Sequence, residues 1–436
     1  MDPRIGRRRF FGYAGSAGAS SLLFPSFLPF GSRETMEFED PQGKSRPSAE
    51  ADEYMAATGT PWATDAALDI LEDGGNAVDA AVGALLMINV TFGEAASFPG
   101  VAPVVLYDSE AGEYKSYTGA GTAPENATID HFRSQGHETM PSLSIESQLL
   151  PASPDVAVEL LKEGGTMTFG EVVGPSVETA REGFPVHRLM LHNLDQSLIE
   201  RFGFYILMPY NVKVYLDGQW WRPLHHSERF TRPDLAETFE QLAEAEKDVL
   251  NDGGSREEGL EAVRREFYEG EIADRIVEFH DERGGLFTRD DLSGYEGYWE
   301  EPVTGSYAEY EVHTNSFWSQ GPVVPMILRI LDGVDTPQSP EDADYAHTVL
   351  QAIDLAMADR EAYMGDPEYV DVPAEGLLSE EYASERRSRM TSDSNFSDTP
   401  EPGNPREFGG EEGEAETEAG TQGGTDSSVE VNTETD

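Results

Sequence analysis

The stretch Thr60–Asp108 decides the fold: TPWATDAALDILEDGGNAVDAAVGALLMINVTFGEAASFPGVAPVVLYD. Thr60 before Pro61 predicts a helix start, because the threonine side chain can accept a hydrogen bond from a free helical N–H and proline needs no such partner at the first helical position. Gly74 and Gly75 predict the end of this helix, because glycine adopts the left-handed backbone at little cost. The residues at three- and four-residue spacing that should form its packed face are Ala63, Ala66, Ala67, Ile70 and Leu71.

A second helix should follow at once. Asn76 can cap its first turn, where the helix dipole favours the charge of Asp79. Residues 77–90 offer almost no polar face, which predicts a helix covered on all sides. Beyond it, residues 101–107 and 113–117 flank a turn and predict a β-hairpin.

The remaining chain alternates helical and strand patterns without an internal repeat, which indicates a mixed α/β class. Predicted helices cover residues 154–162, 169–181, 235–249 and 259–283, the last as one exposed acidic helix. A further helix should bury Ala346, Val349, Leu350, Ile353 and Met357. Asp217-Gly218 predicts a second hairpin between residues 211–216 and 219–222, and residues 307–314 alternate as one strand.

The composition is strongly acidic: 83 Asp and Glu against 30 Lys and Arg give a net charge of −53. Such a surface repels phosphate backbones and anionic lipid heads, so nucleic acid and membrane surfaces are poor partners. Carboxylates spread along the whole chain, with little lysine, are typical of a protein that works in concentrated salt, where screening weakens self-repulsion. The alternative is an acidic protein that works at an ordinary salt concentration.

The absence of cysteine excludes disulfides and thiolate metal sites.

The two ends differ from the middle. Residues 1–35 carry Arg7-Arg8-Arg9 before a weakly apolar run broken by prolines, which predicts a twin-arginine export signal and an extracellular or cell-surface protein rather than a membrane span; a disordered basic arm is the alternative. Residues 36–50 look like a linker, and residues 51–390 form the main domain. Residues 391–436 hold thirteen acids and one arginine, which predicts a disordered tail or processing linker.

Four blocks in this order carry a family resemblance: ILEDGGNAVDAAVGALLMINV (70–90), REGFPV (181–186), FYEGEIADRIVEF (267–279) followed by GGLFTRDDLSGYEGYWEEPVTGSYAEYEV (284–312), and ADREAYMGDPEYVDVPAEGLLSEEYASER (358–386). Together they resemble the large chain of the gamma-glutamyltransferase family. The resemblance implies a four-layer αββα sandwich of the N-terminal-nucleophile hydrolase type. It also implies an enzyme that passes an acyl group, in the family typically gamma-glutamyl, from an amide to an amine or to water.

In that family a precursor cuts itself once, and a threonine at the start of the small chain becomes the nucleophile. Its free α-amino group can act as the base, since the pKa of that amine lies near about 7.7 to 8.0. The resemblance therefore implies a small catalytic chain and an amide or gamma-glutamyl substrate as partners, with no cofactor, no metal and no catalytic residue in this chain. Thr425 and Thr435 are in-chain candidates for the cut, but ordinary tail threonines are favoured. We expect the chain to stop at or just before the processing point; a truncated gene is the alternative.

The resemblance also points to substrate-binding residues. The family holds the substrate α-carboxylate with an arginine in an Arg-Glu-x-Ala-Pro pattern, because a planar guanidinium can form two parallel bonds. The matching stretch here is GAGTAP, residues 119–124, with Ala120 at the place of the arginine. Gly119, Ala120 and Gly121 are therefore candidate binding residues without a carboxylate clamp.

Two further stretches depart from the family. Its glycine-rich run is replaced by SFPGVAP at residues 97–103, and its proline- and serine-rich loop by NSFWSQG at residues 315–321. Trp318, Ser319 and Gln320 are the candidates in the second stretch. Phe317 and Trp318 could form an apolar wall that favours a non-glutamyl acyl group, as in the acylase relatives; packing of Trp318 in the core is the equal alternative.

Two other hypotheses remain. His225-His226 could bind a metal, but no partner at ligand spacing accompanies the pair, so surface histidines are favoured. A non-catalytic relative that keeps the fold as a binding or scaffold protein competes with the enzyme hypothesis, and Ala120 is its support.

Overall fold

A computed structural model describes residues 49–141, 144–194, 197–334 and 342–409. The predicted export signal, all but the last two residues of the predicted linker, and both Thr425 and Thr435 lie outside this part of the chain. The described helices are α1 (Pro61–Glu72), α2 (Ala77–Thr91), α3 (Ile129–Ser134), α4 (Ser153–Gly164), α5 (Phe169–Glu182), α6 (Arg188–Leu194), α7 (Leu198–Leu207), α8 (Pro209–Leu216), α9 (Pro233–Asn251), α10 (Arg256–Tyr268), α11 (Glu271–Arg283), α12 (Arg289–Ser293), α13 (Val323–Leu331), α14 (Ala343–Tyr363), α15 (Ala374–Leu378) and α16 (Glu380–Arg387). The strands are β1 (Val104–Asp108), β2 (Glu113–Tyr117), β3 (Phe184–Pro185), β4 (Arg229–Phe230), β5 (Trp299–Glu300), β6 (Val303–Tyr307) and β7 (Tyr310–Thr314).

The first two helices form as the sequence predicts. Thr60 caps α1 by accepting a hydrogen bond from the N–H of Ala63 at 3.4 Å, and its hydroxyl also meets that of Thr91 at 2.9 Å, which joins the start of α1 to the end of α2. Gly74 has a φ of +97° at the turn between them. The two helices therefore pack as one hairpin whose corner depends on glycine.

Helix α2 is buried on almost every side, as predicted. Asp79 in its first turn is fully buried, and the Asp79 carboxylate accepts hydrogen bonds from the N–H of the N-cap residue Asn76 at 2.9 Å and from the hydroxyl of Thr166 at 2.7 Å. A buried carboxylate needs such donors, because loss of water otherwise penalises its charge. The cap of α2 thus also anchors the segment that enters α5.

The strands form small antiparallel sheets. Strand β2 lies in the middle of a three-stranded sheet of order β1-β2-β5, in which Val104 pairs with Tyr117 and Ser116 pairs with Glu300. The hairpin of β1 and β2 is confirmed. The predicted single strand at residues 307–314 is instead the turn and second strand of the hairpin β6-β7. The described residues are mostly helical, and the four-layer sandwich stays a prediction.

A buried carboxylate holds the three-stranded sheet to the helices. Asp155 on α4 is fully buried and accepts hydrogen bonds from Arg264 Nε on α10 at 2.9 Å, from the Tyr117 hydroxyl on β2 at 2.6 Å and from the Gly297 N–H at 3.1 Å. The hydroxyl of Tyr268 accepts from the Asp155 N–H and donates to a backbone carbonyl. One side chain therefore connects two helices, one strand and the loop before β5.

The segment after α16 packs on the domain, which corrects the prediction of a disordered tail for residues 391–409. Its aromatic residues Phe396 and Phe408 pack against the core between α13, α14 and α16. The Gly403 N–H donates to Asp359 at 2.9 Å, and Asp359 forms a buried ion pair with Arg386 at 2.9 Å. An acidic composition therefore did not indicate disorder here, because two aromatic residues and a backbone hydrogen bond hold this segment on the domain. Residues 410–436 lie outside the described chain.

The helical predictions in the second half need two corrections. Residues 259–283 form two helices, which meet at Glu269 and Gly270, and both have a buried face. Helix α14 exists, but it buries Gln351, Ala352 and Leu355, whereas Ala346 is exposed and Leu350 is 59% exposed. The buried face is therefore shifted from the one that periodicity predicted.

Residues 183–231 form a compact unit of their own, and the larger unit comprises the described residues on either side. Within the smaller unit, the predicted second hairpin is wrong. Asp217 and Gly218 do adopt positive φ angles of 55° and 75°, but they end helix α8 instead of joining two strands. The left-handed backbone that an Asp-Gly pair provides also ends helices, so the pair alone did not distinguish the two structures. None of the helices in the described ranges is long and apolar enough to cross a bilayer.

Replacing Asp155 by Asn should lower the free energy of unfolding by about 3–5 kcal/mol, because Arg264, 13% exposed, would lose the charge that compensates it. Urea denaturation monitored by circular dichroism measures the change. Asp354→Asn on the exposed face of α14 is the matched control and should stay within about 0.5 kcal/mol of the parent. Equal stability of the two variants would contradict the role given to Asp155.

Candidate functional site

The predicted binding segment Gly119–Gly121 follows β2 and is held by its backbone. The Gly119 carbonyl accepts from the Ala102 N–H at 2.7 Å, and Gly119 has a φ of +46°. A Cβ at Gly119 would lie 2.1 Å from the Ala102 carbonyl oxygen, and one at Gly121 would lie 1.7 Å from that of Leu150. Both positions therefore require glycine, because neighbouring backbone occupies the space of any side chain.

Ala120 lies between these glycines and is half-buried. Its carbonyl accepts a hydrogen bond from the Tyr295 hydroxyl at 3.2 Å. Burial and the nearby Asp155 carboxylate raise the pKa of Tyr295 well above its usual range, so this hydroxyl stays a donor at all ordinary pH values. Hydrogen bonds thus hold the carbonyls of both Gly119 and Ala120. The only side chain in residues 119–121 is the methyl group of Ala120.

The second predicted group lies in the loop between β7 and α13. Trp318 is half-buried, and its indole N–H donates to Glu300 of β5 at 3.0 Å. Ser319 accepts from the Gly321 N–H and donates to the Ser316 carbonyl, which shapes the loop, and Gln320 is exposed. Trp318, Ser319 and Gln320 line a small pocket of about 140 Å³. Phe317 is buried in the core, so the predicted apolar wall is wrong for this residue.

The two predicted groups contact the same sheet at different points. Gly119 continues strand β2, whereas Trp318 reaches the sheet through Glu300, which also accepts from the Ser116 hydroxyl at 3.2 Å. Asn315 completes the link, since its side-chain amide donates to the Val104 carbonyl at 3.0 Å and to the Ser116 hydroxyl at 2.8 Å. The structure therefore joins the two segments through β2.

A larger cleft, of about 870 Å³, lies beside the first segment and was missed by the sequence analysis. One wall is the altered run at residues 97–101, and the opposite residues come from positions 148–151 and from α11. Its lining residues are Ala95, Ala96, Ser97, Pro99, Gly100, Val101, Gln148, Leu149, Leu150, Pro151, Thr238, Ile272, Arg275, Ile276, Phe279, His280 and Phe287. The stripe of α11 residues at helical spacing was visible in the sequence, but such stripes are typical of packed cores as well.

Both histidines of the predicted pair make contacts within residues 225–228. The Ser227 hydroxyl lies 2.9 Å from His226 Nδ1, and the His225 N–H donates to Glu228 at 2.9 Å. Among the residues that the structure describes, no group of three or more potential ligands could hold a metal ion.

Comparison with known proteins decides the family. The gamma-glutamyltranspeptidase family model matches residues 63–426 of the chain. The chain belongs to this family. The glutathione hydrolase proenzyme of Escherichia coli K12 is 30% identical over 338 residues, which are 76% of this chain and 54% of that protein. The acylase ACY 1 proenzyme of Pseudomonas sp. SE83 is 27% identical over 347 residues, covering 77% and 58% of the two chains.

Among solved structures, the gamma-glutamyltranspeptidase of Helicobacter pylori has the same fold, with a TM-score of 0.68 at 24% identity over 80% of this chain and 95% of that chain. The chain spans little more than half the length of the curated relatives that it matches. The family resemblance that the sequence blocks predicted is confirmed.

Gly121→Ala should destabilise the protein by about 3 kcal/mol or more, because the added methyl group meets a backbone carbonyl that cannot move aside as a side chain would. Gly174→Ala is the matched control: it lies in α5, where an added Cβ meets nothing within 4 Å, and should stabilise by about 0.5–1 kcal/mol. Urea denaturation of both variants checks the two opposite signs. A tolerated Gly121→Ala would show that the 119–121 backbone is not held as described.

Proposed function

We propose that this chain is the large chain of a two-chain acyltransferase or amide hydrolase, completed by a small chain that begins with a threonine nucleophile. The relatives from Escherichia coli and Pseudomonas are proenzymes by name, and the chain spans 54% and 58% of their lengths. A partner chain would supply the rest of the sandwich and the reacting groups.

The exposed face of α14 supports such a partner. Periodicity predicts that Ala346 and Leu350 are buried, yet both are exposed in the single chain. Apolar residues at helical spacing usually face a packed surface, so a second chain is a natural cover for this face.

The chemistry follows from what a threonine needs. Its hydroxyl attacks an amide carbonyl only after a base takes the hydroxyl proton, and the α-amino group of the same residue can be that base. The amine leaves, an acyl ester forms on the threonine, and water or a second amine then takes the acyl group. Hydrogen-bond donors must stabilise the oxyanion in both steps. In this proposal the described chain contributes the substrate pocket beside these groups.

Ala120 is the single observation that carries the choice of acyl group. The resemblance places the family's carboxylate-binding arginine at this position, and a methyl group cannot form a charge-assisted hydrogen bond to a carboxylate. The glycines on both sides hold the backbone so that only the side chain at position 120 can vary. We therefore propose that the enzyme prefers an acyl group without an α-carboxylate, as an acylase would.

Expression of the complete locus in high salt tests the two-chain mechanism. N-terminal sequencing should find a second chain that begins with threonine, and the purified pair should hydrolyse an aliphatic acyl-nitroanilide faster than gamma-glutamyl-nitroanilide. Replacement of that threonine by alanine should abolish both activities. A stable, uncleaved and inactive product would favour the scaffold hypothesis instead.

In the active pair, Ala120→Arg should raise the ratio of kcat/KM for gamma-glutamyl over aliphatic substrate about ten- to one-hundred-fold, because it restores a charge-assisted hydrogen bond to the α-carboxylate. Ala120→Met adds similar length without charge and should leave the ratio unchanged or lower it. An equal ratio in both variants, or ordinary gamma-glutamyl turnover by the parent, would show that position 120 does not select the acyl group.

A further inference from the structure

The cleft beside residues 97–101 has an unusual helical wall. Ile272, Arg275, Ile276, Phe279 and His280 line it at the spacing i, i+3, i+4, i+7 and i+8, which is one continuous face of α11. In most helices this stripe is packed against another element. Here it faces a space of about 870 Å³, which is within the usual size of small-molecule sites.

The charge of this cleft is opposite to that of the whole protein. Although 83 of the 436 residues are acidic, none of the described residues that line the cleft is Asp or Glu. Arg275 donates to the side-chain carbonyl of Gln241 at 2.9 Å, and Gln241 in turn donates to Glu266 at 2.6 Å. Within the described ranges Arg275 has no ion pair, so its position is fixed by a neutral amide while its charge remains available to an anion.

His280 adds a neutral donor. It is 3% exposed, and burial lowers its pKa, so the ring is uncharged at neutral pH. The Phe287 N–H donates to Nδ1 at 3.4 Å, and the two rings stack with centroids 3.9 Å apart. A neutral ring that accepts at Nδ1 carries its hydrogen on Nε2. The cleft therefore has one cation, neutral polar side chains that include His280 and Gln148, and walls that are otherwise mainly apolar.

We propose that this cleft binds an organic monocarboxylate with an apolar body, through an ion pair with Arg275 and contacts of the apolar body with Leu149, Ile276 and Phe279. An anion is favoured because no lining carboxylate repels it, and an apolar body is favoured because the aliphatic and aromatic walls can bury it. The proposal does not depend on the acyl-transfer reaction, since it concerns binding by the described chain alone.

Isothermal titration calorimetry of the full 436-residue chain at one fixed salt concentration tests the proposal, with octanoate and 4-phenylbutyrate as the probes. Octanoate should bind at one saturable site, and the neutral isostere octanamide should bind at least tenfold more weakly. Arg275→Gln should weaken octanoate binding about ten- to one-hundred-fold by removing the charged partner. Arg265→Gln is the matched control, because Arg265 is an exposed arginine on α10 that does not line the cleft; its affinity should equal that of the parent.

The length of the ligand gives a second measurement that needs no variant. Each methylene added from butyrate to octanoate should tighten binding about three- to fourfold if the chain is buried in the cleft. A 4-phenylbutyrate affinity near that of octanoate would extend the class to aryl-alkyl acids, and a lower one would restrict it to aliphatic acids. No saturable binding, equal affinity for octanoate and octanamide, or equal loss in Arg275→Gln and Arg265→Gln would overturn the proposal.

Discussion

The carboxylate of Asp155 is the interaction on which the candidate site depends. Three donors converge on it in the interior, from β2, from α10 and from the loop before β5. Arg264, the charged donor, also donates to the carbonyl of Tyr295, whose hydroxyl binds the Ala120 carbonyl. A buried charge is stable only when its partners are held in place, so the same network that satisfies Asp155 also positions residues 119–121.

The buried carboxylates of this acidic protein depend on specific hydrogen-bond donors. A net charge of −53 opposes compaction unless salt screens it, and most Asp and Glu side chains in the described part of the chain are not buried. The buried carboxylates of the described residues have specific donors: Asp79 accepts from the backbone at the start of α2, Asp155 holds the sheet, and Asp359 anchors the segment after α16. Glu228 and Glu246, the other two, accept from backbone N–H groups. The cleft along α11 lies outside this pattern, because it excludes carboxylates and retains an arginine. Local composition, rather than net charge, therefore decides which ligands each surface can accept.

Much of the fold could be predicted from local signals. Thr60, Gly74 and Asn76 marked the ends of α1 and α2 because caps depend on backbone geometry that neighbouring residues specify. Signals with two structural meanings failed: Asp217-Gly218 suits a hairpin and a helix end equally, and an acidic tail can still dock through Phe396 and Phe408. Periodicity found α14 but placed its buried face on the exposed Leu350.

The candidate site was only partly predictable for the same reason. The family's Arg-Glu-x-Ala-Pro pattern located residues 119–121 within the chain, but the contacts of Gly121 with Leu150 and of Ala120 with Tyr295 join positions far apart in sequence. The cleft forms only where several separate segments pack together, and no local sequence pattern encodes an empty space. Motifs therefore located the segment, whereas tertiary contacts determined its environment.

The glycines at positions 119 and 121 also bear on how such a site can change over evolution. Because neighbouring backbone excludes side chains at both positions, a substitution at either one would lower the stability of the fold. Position 120 has no such restriction, since its side chain is half-buried and its carbonyl alone is held. The backbone of this loop is therefore closed to substitution at two positions, whereas the codon for residue 120 can change without disturbing the shape of the loop.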